Sequence, residues 1–476
     1  MKKDWTHDIG IRLLKILCVI VMTIPFEICW NHYYANHTAA FFAGQARLYV
    51  VIFYVLLFVF FGRIYEAFLI SYKRVSEMVY SQMLAACVAD GFVYILICFL
   101  CKGFQPLWPG LLAILAQFII SVLWSVLANK WYFRHFPPKR TFIIFDTRSG
   151  MEGLVEQYGL SKKFAVEKVM HVSEVIENMS VLLNAQEVLL SGIHSHDRNT
   201  IIKFCTDNDI SALVIPRIGD VLMLGAKKMH VLHLPILLVQ RYNPNPEYLL
   251  VKRIGDVVIS SIALVVFSPL FLITALFIKR DGGPVFYKQE RLTKDGKTFK
   301  LIKFRSMRVD AEKDGIARLS TGDNDDRITP VGRVIRKLRI DELPQLINIL
   351  RGDLSVVGPR PERPSIAAEY EKELPEFRLR LQCKAGLTGY AQVYGKYNTM
   401  PYDKLMMDLM YIADPSIVQD LRIIFATIKI LFMPESTEGI EAGQTTAMTQ
   451  DIVDYGKADT IYSGAEENEE KTVQNS

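Results

Sequence analysis

Long apolar runs crowd the first quarter of the chain, while short apolar runs broken by polar stretches fill the rest. Four long runs, at about residues 11–30, 48–62, 83–101 and 107–128, approach the roughly 20 residues a helix needs to cross a bilayer. The second reaches that length if it begins near Gly44. They predict four transmembrane helices over residues 1–135. The first is long for a signal-peptide core, and no small-residue cleavage site follows it.

The rhythm changes after a basic linker ending near Arg140. "TFIIFD" (141–146), "EVLLSGI" (187–193), "SALVIP" (211–216) and "HLPILLV" (233–239) read as short buried strands, with helical stretches such as 200–207 between them. Strands alternating with helices predict a small parallel α/β domain over 140–245. Its first turn, "DTRSGMEG", contains Gly150 and Gly153 but no GxGxxG, so a dinucleotide site is poorly supported. His194, His196 and Asp197 read better as a polar turn capping the next helix than as a metal cluster. "RYNPNPE" (241–247) is a proline-broken linker.

A fifth apolar run, 257–278, gives about 33 Å of helix, enough to span. However, Lys252 and Arg253 flank one end and Lys279 and Arg280 the other, which favours keeping both ends on the cytoplasmic side. Ser268 and Pro269 sit at its middle. Proline removes a backbone hydrogen bond there and kinks the helix, and the serine hydroxyl can satisfy a freed carbonyl. The expectation is a re-entrant hairpin at 252–280 rather than a span. Residues 282–307 then read as a β-hairpin turning at Lys294-Asp295-Gly296. A polar loop follows at 310–326, and "VGRVIRKLRI" places Arg333, Arg336 and Lys337 on one helical face. The tail at 434–476 lacks periodicity and is expected to be disordered.

Charge orients the membrane part. Lys2, Lys3, Arg12 and Lys15 accompany the first run, and Arg63, Lys73 and Arg74 separate the second and third. Lys130, Arg134, Lys139 and Arg140 follow the fourth, whereas the other two loops carry little beyond Arg47 and Lys102. The positive-inside bias puts the N-terminus and everything after the fourth run in the cytoplasm. The net charge of +5 over 476 residues conceals an acidic tail, so the body is more basic than the total. Such a body beside a membrane suits anionic lipid or phosphate ligands, and no nucleic-acid partner is expected. Of the seven cysteines, five lie in or beside the apolar runs. The CxxC of Cys98 and Cys101 is best read as small apolar residues of a membrane helix.

The densest chemistry lies in "RIDELPQLINILRGDLSVVGPRPERP" (339–364). Leu343, Leu346, Ile347 and Leu350 keep a helical rhythm, and Pro344 is acceptable only in a first turn. A helix from about Asp341 to Gly352 is predicted, with Asp341 and Glu342 at its N-terminus, where exposed N–H groups attract phosphate. An Asp-Glu pair alone is more often a cap than a site. Here "LSVVG" reads as a strand leading to Arg360, held between Pro359 and Pro361, and Arg336 and Lys303 precede the pair. Carboxylates among cations near a membrane hairpin suit chemistry on an anionic lipid. One can attack phosphorus, its neighbour can hold Mg²⁺, and the cations offset phosphate charge. "GDNDDR" (322–327) is a rival metal site, though three aspartates in a polar loop are usually solvated.

"KFRSM", "IDELPQLINILRGDLSVVGPRP", "KAGLTGYAQV" (384–393) and the Ser-Pro-centred hairpin together resemble the bacterial sugar transferases. These are monotopic polyprenyl-phosphate phosphoglycosyl transferases, and the resemblance covers about residues 248–433. It implies an α+β catalytic domain there, behind four transmembrane helices and a degenerate, Rossmann-like α/β domain. It also implies a two-step transfer of sugar 1-phosphate from a UDP-sugar, through a covalent aspartate, to undecaprenyl phosphate with release of UMP. Matched residue by residue, Asp341 takes the nucleophile's place and Glu342 that of the Mg²⁺-binding partner. Arg336 and Arg360 fall at phosphate-binding arginines, and Lys303 and Asp408 at further substrate-site positions. Arg253 and Asp256 match the charged, structural start of the hairpin. Ala385 departs from the proline usual before Gly-Leu-Thr-Gly, which is expected to loosen a loop. The implied place is the bacterial inner (cytoplasmic) membrane, with the catalytic domain on the cytoplasmic face, in exopolysaccharide or capsule synthesis. The sugar and a homodimer stay open. Competing readings are lipid glycosyl transfer releasing UDP and a non-catalytic membrane scaffold or sensor.

Overall fold

The computed structural model describes residues 5–38, 45–231, 233–280, 282–309, 311, 327–395 and 399–431. The aspartates of GDNDDR, nearly all of the polar loop at 310–326 and the acidic tail at 434–476 lie outside the described residues. The chain divides into two compact units. One comprises Met1–Ile144, Met151–Leu190 and His194–Leu213, the other Phe145–Gly150, Ser191–Ile193 and Val214–Ser476.

The first unit begins with α1 (Trp5–Cys29), α2 (Gln45–Ile64), α3 (Val75–Leu100) and α4 (Trp108–His135), each longer than its predicted apolar run. Helix α1 packs on α2 and α4, and α3 on the same two. All four regions are long and apolar enough to cross a membrane, the first counted from Asp8 to His37. The distribution of polarity agrees with that. Leu13, Leu17, Leu56, Leu111 and Leu127 are exposed, whereas Gln82, Gln117, Ser121 and Ser125 are buried. Ser121 donates to Gln82 Oε1 at 2.7 Å, and Gln117 Nε2 donates to the Tyr54 hydroxyl at 2.9 Å. In lipid, where apolar surface gains nothing by hiding, small and polar residues form the helix contacts.

A mixed α/β region follows: β1 (Lys139–Phe145), α5 (Met151–Gln157), β2 (Phe164–His171), α6 (Val172–Glu177), β3 (Glu187–Ser191), α7 (Ser195–Asp207) and β4 (Ser211–Val214). The strand order is β2-β1-β3-β4. Gln186 N–H donates to the Arg140 carbonyl at the starts of β1 and β3, and Asp146 N–H to the Ser191 carbonyl at their ends, which is parallel pairing. Strand β2, "FAVEKVMH", went unrecognised because Glu167 and Lys168 interrupt its apolar pattern. His194 occupies the cap position of α7.

In the second unit, α8 (Ile218–Leu224) precedes an antiparallel pair, β5 (Lys227–Val231) and β6 (Leu234–Leu238). "HLPILLV" was expected to be a buried strand of the parallel domain; instead, among the described residues, β6 pairs with β5 alone and most of its residues are exposed. The helix α9 (Pro246–Val266) starts well before the predicted apolar run, and α10 (Ser268–Lys279) follows after a 61° turn of the axis. Ser268 Oγ donates to the Val265 carbonyl at 2.7 Å, with Pro269 in the first turn of α10. Next come the paired strands β7 (Phe286–Leu292) and β8 (Thr298–Phe304), turning through Asp295 and Gly296 at positive φ. They are followed by α11 (Pro330–Lys337), α12 (Gln345–Arg351), β9 (Ser355–Val357), α13 (Pro364–Glu373), β10 (Gly386–Thr388), α14 (Tyr390–Tyr394), α15 (Pro401–Ala413) and α16 (Ile417–Leu431).

The core of this unit joins Leu346 and Ile349 of α12, Val356 and Val357 of β9, Leu405 and Leu409 of α15 and Ile423 of α16. Both ends of the bent helix pair are built into the unit. Near the start, Lys252 pairs with Asp420 at 2.9 Å, and Arg253 donates to the carbonyls of Ile349 and Leu350 at 2.6 and 2.8 Å. Asp256 accepts from Ser355 Oγ and Val356 N–H, both at 2.9 Å. At the far end Ile278 packs with Phe304 and Ile335, and Arg305 donates to its carbonyl at 3.3 Å. Arg148 of the "DTRSGMEG" turn, in the segment 145–150 that belongs to this unit, makes a two-pronged pair with Asp403 at 2.7 and 2.8 Å.

Parallel pairing of β9 with β10 brings backbone against backbone. A Cβ on Gly386 would sit 2.1 Å from the Gly358 nitrogen. Gly386→Ala therefore has to part the strands, and a loss of about 1–3 kcal/mol is expected. It is read as a fall in the thermal unfolding midpoint of the detergent-purified protein, and an unchanged midpoint would contradict the packing.

Candidate active site

Asp341 and Glu342 lie on a single tight turn, Ile340–Glu342, entered through Arg339 in the left-handed region at φ 56°. The predicted helix from Asp341 is corrected: α12 starts only at Gln345. Glu342 N–H closes onto the Arg339 carbonyl and Leu343 N–H onto that of Ile340. These amides are consumed by the turn, so the pair does not sit on a phosphate-binding helix N-terminus. The turn faces β8 because Asn348 of α12 fastens the two. Its Oδ1 accepts from Ile302 N–H at 3.0 Å, and its Nδ2 donates to the Lys300 carbonyl at 2.9 Å.

That register delivers Lys303 to Glu342 at 3.0 Å. Arg360, projecting from the turn after β9, reaches the same carboxylate oxygen at 3.4 Å, and Arg339 stands 3.9 Å away. Burial alone would push the Glu342 carboxyl up, but Lys303, Arg360 and Arg339 outweigh it and hold the group well below the usual carboxylate range. Asp341 is different. It is 8% exposed and, among the described residues, its side chain makes no hydrogen bond or ion pair. Burial first, then the neighbouring Glu342 charge, raises its carboxyl to about 6, against the pull of Lys303, Arg336 and Arg339. Arg336 on α11 is near enough to act on Asp341, and no side-chain hydrogen bond or ion pair engages it among the described residues. A shallow cleft opens at Glu342, lined by Arg291, Lys303, Glu342, Gln345, Arg360 and Gln392, among others.

Asp408 does not join this cluster. At 1% exposure it grips Arg380, with Nε and Nη2 at 2.9 and 2.7 Å from its Oδ2. Arg380 in turn donates to the Arg360 carbonyl at 3.0 Å and lies 3.5 Å from Glu362. Asp408 thus braces the backbone of the proline-flanked turn from behind. Arg253, Asp256, Ser268 and Pro269 stay in the scaffold, in the contacts given above. Ala385, expected to loosen a loop, is 4% exposed, and its N–H donates to Thr293 Oγ1 at 3.3 Å, a bond that proline could not make. Sequence reasoning missed Asn348, Arg380 and Arg291. Only the polarity of Asn348 within an apolar helical stretch signalled any of them.

A sequence profile of the bacterial sugar transferases matches residues 247–434, which include every element of the site. The chain is 43% identical over 192 residues to the exopolysaccharide production protein PSS of Rhizobium leguminosarum bv. phaseoli, covering 38% of this chain and 94% of that relative. The chain belongs to the bacterial sugar transferase family. It is also similar to a UDP-N-acetylgalactosamine-undecaprenyl-phosphate N-acetylgalactosaminephosphotransferase of Aeromonas hydrophila, with 41% identity across 40% of this chain and 45% of the relative. With a UDP-glucose:undecaprenyl-phosphate glucose-1-phosphate transferase of Klebsiella pneumoniae it shares 36% identity, across 47% of this chain and 49% of the relative. The matches to these last two thus span less than half of each relative's length.

Two adjacent carboxylates with opposite shifts make opposite predictions. The folded-state pKa of Asp341 lies above its unfolded value, so the ionised form costs stability above about pH 6, and that cost is absent below about pH 4. Asp341→Asn should stabilise the protein at pH 7.5 by on the order of 1–3 kcal/mol and give no advantage at pH 4. Glu342→Gln should destabilise it at pH 7.5 by about 3 kcal/mol, because cations lose their partner. Thermal unfolding of both variants across this range tests the pair of signs.

Proposed function

We propose that the chain transfers a sugar 1-phosphate from a UDP-sugar to undecaprenyl phosphate, at the cytoplasmic face of the bacterial inner membrane. The observation that carries this reading is the asymmetry of the acid pair: Glu342 is ionised and held by cations, while Asp341 is buried and unengaged. An oxygen of Asp341 forms a bond to the β-phosphorus of the donor. The bond from that phosphorus to the bridging oxygen breaks, and the oxygen leaves with its electron pair as part of UMP. A phosphate oxygen of undecaprenyl phosphate then attacks the same phosphorus and returns the Asp341 carboxylate. Lys303, Arg336 and Arg360 offset the phosphate charge.

The pair also suits Mg²⁺, which takes one or two carboxylates together with substrate phosphates and water. Asp341 has no competing side-chain bond, and no cluster of three or more His, Cys, Asp or Glu ligands exists among the described residues. Glu342 would hold the ion beside Asp341, and when bound it would supply further charge neutralisation to the phosphates.

The bent pair α9–α10 is read as re-entrant. A crossing would separate its ends by about 30 Å on opposite sides of the bilayer. Here both ends dock on one compact unit. The α/β region is read as a degenerate Rossmann-like module. The relatives named above act on different sugars, so the sugar itself is left open.

Purified protein given Mg²⁺, undecaprenyl phosphate and a panel of UDP-sugars should release UMP with one or a few of them. Asp341→Asn should lower that release by at least about 10³-fold while staying folded and membrane-bound. Release of UDP would mean ordinary glycosyl transfer, and full activity in the variant would remove Asp341 as nucleophile. Independently, a topology reporter fused after Phe432 should read cytoplasmic, and a periplasmic signal would sink the re-entrant reading.

A further inference from the structure

Arg291, on β7, lines the same cleft as Lys303, Glu342 and Arg360 but takes no part in the ion pairs around Glu342. Its Nη1 donates to the Pro361 carbonyl at 3.2 Å and its Nη2 to Gln289 Oε1 at 2.7 Å. Both acceptors are neutral. They fix the plane of the guanidinium without balancing its charge, and among the described residues no carboxylate lies within ion-pair distance. Its Nε is buried with no acceptor at all. Gln392, on the lining of the same cleft, has a buried Oε1 with no donor. A half-buried arginine in a purely structural role ordinarily has a counter-ion in contact; around this one Arg360 and Arg363 oppose its charge, and Glu362 favours it only from beyond ion-pair distance.

We propose that Arg291 binds the α-phosphate of the donor, the phosphate that departs with the nucleoside. The inference rests on the phosphoglycosyl reading and adds a second phosphate subsite to it. The β-phosphate lies at Asp341, among Lys303, Arg336 and Arg339. The α-phosphate lies beyond it, shared by Arg360 and Arg291, and Gln392 Oε1 accepts from a hydroxyl or N–H of the nucleoside. The chemistry gives this placement a purpose. When the β-phosphorus–oxygen bond breaks, the bridging oxygen becomes a terminal oxygen of UMP and the α-phosphate gains negative charge. A pre-positioned guanidinium at that oxygen interacts more strongly with the departing group than with the bound donor, as transition-state stabilisation requires. Its planar fork also matches a phosphate better than an ammonium would.

The test measures UMP and uridine binding to the full-length detergent-purified protein by calorimetry, alongside steady-state kinetics, for wild type, Arg291→Gln and Arg291→Lys. Arg291→Gln should weaken UMP binding by about 10- to 100-fold and leave uridine binding unchanged. It should lower kcat/KM for the UDP-sugar by at least as much, with KM for undecaprenyl phosphate unaltered. Arg291→Lys should recover only part of the loss. Unchanged UMP affinity in a folded Arg291→Gln variant overturns the proposal, as does an effect confined to the KM of undecaprenyl phosphate, which would assign Arg291 to the acceptor. If both variants fail to fold, Arg291 is structural and the proposal falls. Failure of the phosphoglycosyl reading would appear separately, as wild-type protein that releases UDP or no nucleotide.

Discussion

The meeting of three cations on one carboxylate organises the catalytic unit. Lys303 comes from a strand, Arg360 from a proline-braced loop and Arg339 from the strained turn that carries Glu342 itself, and all three converge on that carboxylate. Glu342 is the most buried of the four, and a carboxylate largely out of water is costly unless it is paired. Each segment is therefore held in place by what lies behind it: Asn348 between α12 and β8, and Arg380 with Asp408 behind Arg360. The left-handed Arg339 is the local cost of turning the chain so that Glu342 lines the cleft with Asp341 buried next to it.

Neighbouring carboxylates acquire separate characters from this arrangement. Glu342 absorbs the positive field and stays ionised, and its own negative charge then helps burial to raise Asp341. A single acid in the same place would be either clamped by cations or unengaged. Two acids let one satisfy the cations while the other stays available, which is the division of labour that pairs of carboxylates allow when their surroundings differ.

Much of this was legible in the residues. Apolar runs identified all four N-terminal helices but understated several of their ends, because a membrane helix needs length and extends past its apolar stretch. Gly352 and Lys294-Asp295-Gly296 marked a helix end and a hairpin turn, since positive φ selects those residue types. The acid pair and the proline-flanked Arg360 could be singled out because the stretch is short. What could not be read were partnerships between distant positions. Asp408 was expected at the substrate, and nothing near it in sequence reveals that Arg380, 28 residues earlier, covers it. The start of α12 was misjudged because Pro344 is compatible with either a first turn or the residue just before one. Strand β6 was mistaken for a core strand because an apolar run looks the same whether or not anything covers it.

Asp256 is the acceptor for a backbone N–H in strand β9, Arg253 closes the end of α12, and Ile278 completes a small core with Phe304 and Ile335. The apolar helices are accordingly a wall of the catalytic unit rather than a tether attached to it. Excising 246–280 would not liberate a soluble enzyme; it would open the core beneath the acid pair and leave β9 with an orphaned amide.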